Sequence, residues 1–367
     1  MRMQTLFAAS LAACMFIGSL AGAQMKDEGD WINLYDQETT YGWHNLGDVI
    51  WEVKGGVLTS SAGTGGLLAT TSQFSNFELT AKIKVSAGGS AGLVFRAPLT
   101  GHPLENGSSV IWMSSRKNEK TDWQDIHVVA NGGDVKAMLD GSDSARKVVI
   151  GTNERGHIGI MFHHNGDTKV EISEVKLRPL GLKSIFNGKN LDGWNILPDH
   201  ASKFSVDDGG IRIQDGNGQI ETAGVYKDFV LQLDIFSNGT HLNSGVFFRG
   251  PVGVFWKGYE SQVRNHWSKD DRTNPVDYGT GGNYGNQSTR KVVPSDKEWF
   301  KKTVVADGNH FSIWINGYQT SDFTDNRPVD RSFNAKEGYV GAAGTIHLQG
   351  HDPTTDLTFK NIYIQEN

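Results

Sequence analysis

Alternation with a period of two runs through most of the chain. In Phe77–Val85 (FELTAKIKV) the residues Phe77, Leu79, Ala81, Ile83 and Val85 share one parity. In Phe229–Phe236 (FVLQLDIF) Phe229, Leu231, Leu233 and Ile235 stand against Gln232 and Asp234. In His310–Gln319 Phe311, Ile313 and Ile315 alternate with Ser312, Trp314 and Asn316, and the run then turns at Asn316-Gly317. Successive side chains of a strand point to opposite faces, so these runs predict half-buried strands, the last of them a hairpin. A sheet with one apolar face needs a second sheet to cover it. The pattern therefore predicts an all-β chain built of sandwiches, and a jelly roll of this size would present one long concave sheet.

The pattern also repeats. LYDQETTYGW (34–43) parallels IFNGKNLDGW (185–194), WEVKGGVL (51–58) parallels FSVDDGGI (204–211), and SAGLVFRAP (90–98) parallels NSGVFFRGP (243–251). WQDIHVVANG (123–132) parallels WFKKTVVADG (299–308), and EISEVKL (171–177) parallels TFKNIYI (358–364). The matches keep one order, which reads as a tandem duplication. The boundary falls at Leu180-Gly181-Leu182, giving domains at 24–180 and 183–367. Between the shared Pro and the shared Trp the first copy is short (Pro98 to Trp123) and the second long (Pro251 to Trp299). The extra chain includes DYGTGGNYGNQS (277–288), and a long insertion in a compact sandwich predicts a functional loop.

Composition narrows the function. A net charge of −6 leaves no basic footprint, so nucleic acid is not an expected partner. Arg2, the apolar run Leu6–Leu20 and Ala21-Gly22-Ala23 read as a signal peptide, residues 1–23, which predicts a periplasmic or secreted protein. Lipidation at Cys14 is the lesser reading, because the apolar run continues through Met15, Phe16 and Ile17. No later stretch is long and apolar enough for a transmembrane segment. Cys14 is the sole cysteine, so packing rather than disulfides must hold the mature chain. There is no dinucleotide fingerprint, so no nucleotide cofactor is expected, and no H-E-x-x-H or EF-hand loop.

FNGKNLDGW, NSGVFFRGP, GYESQV, WINGYQTSDFTD and GTIHLQGHDPTTDLTFKNIYI together resemble the domain-of-unknown-function family 1080, the 3-keto-disaccharide hydrolase domain. The resemblance covers nearly all of the second half, and the first half looks like a diverged copy with GSSVIWM (107–113) in place of GYESQV. It implies two tandem concanavalin A-like jelly-roll β-sandwiches, the second carrying the site. It also implies a substrate glycoside or oligosaccharide oxidised at C3, the ketone being made by a separate oxidoreductase. A C3 ketone acidifies the C2 proton. A base can remove it, a donor can hold the enolate oxygen, the C1 substituent can leave, and water can add back. The required parts are a base, an enolate stabiliser and a sugar-shaped cleft rather than a glycosidase carboxylate pair.

In GYESQVRNHW (258–267) Glu260, Gln262, Arg264 and His266 share the polar parity. Glu260, which matches the family's Gly-Tyr-Glu, is the expected general base or metal ligand. His351, in QGHDPTTD, is expected as its partner in proton transfer or metal binding, or else as a cap of the turn before the last strand. A divalent ion on Glu260 and His351 would be Ca²⁺ by oxygen ligands, Mn²⁺ or Zn²⁺ by imidazole. Arg249 reads as a sugar or carboxylate clamp or a structural ion pair. Gln262, Asn243 and Asn265 read as hydroxyl binders, Trp267 and Tyr284 as stacking platforms. Asp352 reads as an Asx-turn residue. The competing functions are a non-catalytic carbohydrate-binding protein and a structural or adhesion module, since fold alone does not set chemistry.

Overall fold

A computed structural model describes residues 26–102, 105–118, 120–141, 148–163 and 168–367; the expected signal peptide, with Cys14, lies outside them. The described chain is strand and turn throughout, with no helix. It forms two tandem jelly-roll sandwiches.

The alternating runs are the strands they predict. Phe77, Leu79, Ala81, Ile83 and Val85 are all buried, with the intervening residues at least partly exposed. Phe229, Leu231, Leu233 and Ile235 enter the core of the second half. The hairpin joins His310–Ile315 to Tyr318–Thr324, and its turn residues Asn316 and Gly317 both take positive φ, 48° and 80°, which the short turn requires.

One extended sheet serves both halves. Its main path runs through Asp134–Leu139, Gln124–Asn131, Phe77–Val85, Val170–Ser184, Asp356–Glu366, Phe229–Ser237, Trp299–Asp307, His310–Ile315 and Tyr318–Thr324. The Val170–Ser184 strand crosses from copy to copy. It pairs with Phe77–Val85 over its first part and with Tyr363 and Ile364 at its end. Leu180-Gly181-Leu182 thus lies within a strand, not in an open linker. Each half closes its sandwich with a smaller sheet. In the first half the order is Val148–Val149, Ser109–Ser114, Ser90–Ala97, Gly156–His163, Gly65–Phe74, Trp43–Gly47; in the second it is Trp194–Ile196, Gly218–Thr222, Thr345–Gly350, Ser244–Gly250, Tyr259–Val263.

The halves are packed against each other. Val230, Val305 and Trp314 of the second half join the hydrophobic core of the first, and the Trp314 indole donates to the Asn33 carbonyl at 3.1 Å. Across the same junction Thr71 Oγ1 donates to Asp322 at 2.8 Å, Ser72 and Ser312 hydroxyls meet at 2.9 Å, and Arg290 pairs with Asp36 at 2.9 Å. Apolar burial with satisfied polar groups around it makes this junction part of the fold.

Candidate functional site

The five-stranded sheet of the second half has one parity in the core: Ile220, Val246, Phe248, Tyr259, Val263, Ile346 and Leu348. The other parity faces away from that core. Strand register there sets Glu260 opposite Phe247, Phe247 opposite His347, and His347 opposite Glu221. Residues directly opposite each other lie on one face. The neighbouring positions on this face are Gln262 opposite Gly245, and Gln349 opposite Gln219. All of these polar residues are at most 5% exposed. Gln219 Nε2, Gln349 Oε1 and the nearby Asn243 Oδ1 are buried with no hydrogen-bond partner among the described residues. Buried amides without partners mark a place where a polyhydroxylated ligand or water completes the bonding.

Glu260 owes its place to a glycine. A Cβ at Gly245 would stand 2.4 Å from Glu260 Oε1, so only glycine leaves the carboxyl room over its neighbour strand. Burial pushes the Glu260 carboxyl up to about 8; Asp277 adds to the rise, while Lys336, Lys302 and a hydrogen bond from the Trp256 side chain oppose it. Lys302 comes from the facing sheet, fully buried, and its ammonium binds Ser261 O (2.9 Å), Ser261 Oγ (2.8 Å) and Gln262 O (2.9 Å). It anchors the strand carrying Glu260 from behind, and burial drives its own proton affinity well down against the pull of Glu260. In front, Lys336 Nζ lies 4.2 Å from the ring centroids of both Trp256 and Tyr284.

Two loops wall the site. The 251–258 loop folds across the sheet: Gly253 N donates to both oxygens of Glu221 (3.0 and 3.1 Å) and Trp256 N to Gln219 Oε1 (2.8 Å). His347 beneath it bonds Thr345 Oγ1 at 2.6 Å and faces Glu221 at 3.6 Å, and burial lowers its pKa to about 4, so it is a neutral imidazole. The insertion continues the sheet beyond the Tyr259–Val263 edge. Tyr284 N donates to Glu260 O (2.9 Å), Gln262 N to Gly282 O (2.9 Å) and Gly281 N to Gln262 O (3.0 Å). The expected functional loop is therefore hydrogen-bonded to the strand that carries Glu260.

The candidates separate into two groups. Glu260, Gln262, Asn243 and Tyr284 come together. Asn243 Nδ2 and Gln262 Nε2 both donate to Asp277 Oδ2, at 3.0 and 3.2 Å. The others lie elsewhere. His351 sits past the end of its strand, its half-exposed ring 3.0 Å from Asp352 and its backbone N on Thr355 Oγ1, so it is the turn cap and not a partner of Glu260. Asp352 accepts from Thr354 N at 2.8 Å, as its Asx-turn reading expects. Arg249 is fully buried and spends its guanidinium on Lys227 O, Val340 O and Asp228 Oδ1, so it clamps no sugar. The register slips between Phe247 and Gly250, and Arg249 takes φ 55°, so strand parity ends before it. Asn265 lies beyond the strand end and ties Thr280 (2.6 Å) to Ser295 O (3.1 Å), holding loops together. Trp267 carries the Arg272 guanidinium 4.2 Å over its ring.

Glu221, His347, Gln219, Gln349, Asp277 and Lys336 were missed. The signal for four of them was available as alternation: Gln219 and Glu221 in GQIET, His347 and Gln349 in TIHLQG, both polar on one parity and apolar on the other. The metal expectation does not fit these residues. Glu260 and His351 do not converge, Glu221 is engaged by Gly253 and Thr345, and no cluster of three acidic, His or Cys ligands exists among the described residues. No step below runs through a metal.

The chain matches the model of the 3-keto-alpha-glucoside-1,2-lyase-like domain twice, over residues 30–178 and 181–365. Among solved structures, a "putative glycosyl hydrolase" from Parabacteroides distasonis ATCC 8503 is 24% identical with a TM-score of 0.43, over 51% of this chain and 99% of its own. A second one from the same organism is 23% identical with a TM-score of 0.39, over 50% of this chain and 92% of its own. The carbohydrate binding module CBM66 from Bacillus subtilis is 15% identical with a TM-score of 0.34, over 47% of this chain and 96% of its own. No curated protein matches the chain.

Proposed function

The chain belongs to the 3-keto-alpha-glucoside-1,2-lyase-like domain family, and from that premise we propose that its second half cleaves 3-keto-glycosides by elimination. Its function is carbohydrate-related; the reaction is our reading. The observation that carries it is the Glu260 carboxyl, buried on the polar sheet face with a pKa pushed up to about 8. Once it has lost its proton, a carboxylate with so high a proton affinity is a strong base.

Glu260 takes the C2 proton of the bound 3-keto sugar. The C–H electron pair forms C2=C3 and the carbonyl pair moves onto O3 as an enolate. The enolate then collapses, C3=O re-forms, C1=C2 forms, and the C1–O bond breaks. The departing alkoxide collects a proton from the protonated Glu260. Water adds across C1=C2 in a later step to give the free 3-keto sugar. Phe247 lies between Glu260 and His347 in the register and offers an apolar floor, while Gln219, Gln349 and Asn243 offer amides to hydroxyls. A separate oxidoreductase supplies the ketone, and the leader expected at 1–23 supports a reaction in the periplasm or outside the cell.

The same unpartnered amides support a second reading, a carbohydrate-binding protein without turnover. Aglycone release from a 3-keto-glucoside and from its unoxidised parent separates the two. Release from the keto form alone, falling about 10²–10⁴-fold in a Glu260→Gln protein that is folded and no less stable, is the expected result. Binding without release leaves only the second reading. A fully active Glu260→Gln protein removes Glu260 from the mechanism.

A further inference from the structure

Lys336 has an unusual set of neighbours for a cation at a carboxyl site. Its ammonium is held by the faces of Trp256 and Tyr284, each centroid 4.2 Å away, one ring from the 251–258 loop and one from the insertion. The insertion also packs on its stem: a Cβ at Gly285 would stand 2.8 Å from Lys336 Cγ. The backbone is fixed by Arg327 Nη1, which donates to Lys336 O at 2.9 Å. Among the described residues the ammonium makes no hydrogen bond or ion pair, although Glu260 and Asp277 both lie within electrostatic reach. Ring faces hold a cation through its charge and leave all three N–H donors unused. Lys336 is exposed, so those donors are open to a ligand, unlike the donors of Lys301, which bind Asp30 and Asp234 at 3.0 Å.

We propose that Lys336 is the group that holds the C3 oxygen as it turns from carbonyl to enolate, an inference that rests on the elimination reading above. Glu260 removes the C2 proton, the electron pair moves through C2=C3 to O3, and the Lys336 ammonium donates to that oxygen. When C3=O re-forms and the C1–O bond breaks, the ammonium is left as it began. The placement fits the chemistry: base and cation belong to one site and arrive from different segments. The aromatic clamp keeps the cation from neutralising the base by direct contact. Donors held in place before charge develops lower the barrier without reorganising during the reaction.

The test uses a 3-keto sugar with no aglycone at C1, the 3-keto form of 1,5-anhydroglucitol, in D₂O. Exchange of its C2 proton, read by NMR, isolates the enolisation step from bond cleavage. The mature protein should exchange the proton, and Lys336→Met should slow exchange by about 10²-fold or more while still binding the sugar. Lys336→Cys, alkylated with bromoethylamine to rebuild an ammonium, should recover most of the rate. Cys14 is the only native cysteine and belongs to the expected leader, so the label has one target. A structural role would not respond to restoring a charge at that one atom. Exchange at the unaltered rate in Lys336→Met, or no recovery in the alkylated protein, overturns the assignment and leaves Glu260 in place. No exchange and no glycoside release by the unaltered protein overturns the elimination reading, and the role of Lys336 falls with it.

Discussion

The two halves of this chain share a scaffold and differ in the face laid over it. In the first half Val94 lies opposite Val110 and Gly159, Gly159 opposite Ala69, Gly92 opposite Trp112 and Met161, and Met161 opposite Leu67. Position for position, Glu260 becomes Val110, Gln262 becomes Trp112, His347 becomes Gly159, Gln349 becomes Met161, Glu221 becomes Ala69 and Gln219 becomes Leu67. Each of these six polar side chains has an apolar counterpart or none. Leu67, Ala69, Val94, Val110 and Met161 form a small hydrophobic cluster of their own, with Trp112 against it. A jelly roll therefore does not need the polar face in order to fold. Burying those groups in the second half opposes folding, and function is the account of their presence there.

What both halves keep is structural. Arg96 and Arg249 each stand one residue before the end of equivalent strands, at φ 54° and 55°, beside a register slip. Arg96 binds Ser75 O with Nε and Nη2 (2.9 and 2.7 Å), and Arg249 binds Lys227 O with Nε (3.0 Å). Ser75 and Lys227 are equivalent, each two residues before a core phenylalanine. The side chain of the next residue, Asn76 or Asp228, accepts from Gly132 N or Gly308 N at 2.8 Å in both copies. Methionine at either arginine strands buried carbonyls, so Arg96→Met and Arg249→Met should each lower stability by about 3 kcal/mol in urea titrations. If Arg249→Met keeps its unfolding midpoint and loses turnover, the arginine belongs to the substrate and the parallel between the halves breaks.

Glu260 and Val110 should differ in how stability follows pH. The Glu260 carboxyl titrates near 4.5 when unfolded and near 8 when folded, because burial disfavours its charge. Below about pH 4.5 both states hold the proton. Between there and pH 8 the unfolded chain has released a proton that the folded chain keeps, so stability falls as pH rises. Lys302, depressed by burial, contributes the opposite slope below its unfolded value of 10.5. Subtracting the Glu260→Gln curve from that of the unaltered protein removes the lysine's own slope and leaves its coupling to Glu260. The difference should grow across pH 5–8 to a few kcal/mol in favour of the glutamine protein. A flat difference would mean that Glu260 is ionised and solvated like a surface carboxylate.

Much of the scaffold was legible because alternation and duplication are local or sequential signals. Phe77–Val85 and the Asn-Gly hairpin announce their faces, and the parity of Glu260 and Gln262 is the parity observed. Legibility ends where the strand period stops. Arg249 lies past a bulge, Asn265 and Trp267 past a strand end, and His351 in a turn; none of their side-chain directions follows from counting by two. The site's other members were hidden by distance in the chain. Glu221 and Glu260 share a row only because two intervening strands bring them together, and Lys336 reaches the site from a segment without regular structure. The glycine before His351 marks a turn, whereas His347 stands in TIHLQG, which shows the ordinary alternation of a strand.

The smallest expected effect concerns what the first half does for the second. Arg290 follows the 277–288 stretch that borders Glu260, and its backbone N donates to Thr320 O at 2.9 Å. Its guanidinium reaches over the junction to Asp36 (2.9 Å) and Thr39 Oγ1 (3.2 Å), and lies 4.1 Å over the Tyr41 ring. The loop 36–41 of the first half thus clamps the far end of the loop that places Tyr284. Asp36→Asn keeps an oxygen for the Thr39 and Glu38 amides and removes the charge facing Arg290. The pair is partly buried, so the expected loss is about 1 kcal/mol in stability. Turnover should fall only a few-fold, through a looser insertion, with the Glu260-dependent pH profile unmoved. Faster hydrogen exchange confined to 277–290 would place the first half as a brace for the site. Unchanged exchange there, with turnover intact, would mean that the second half holds its own loop.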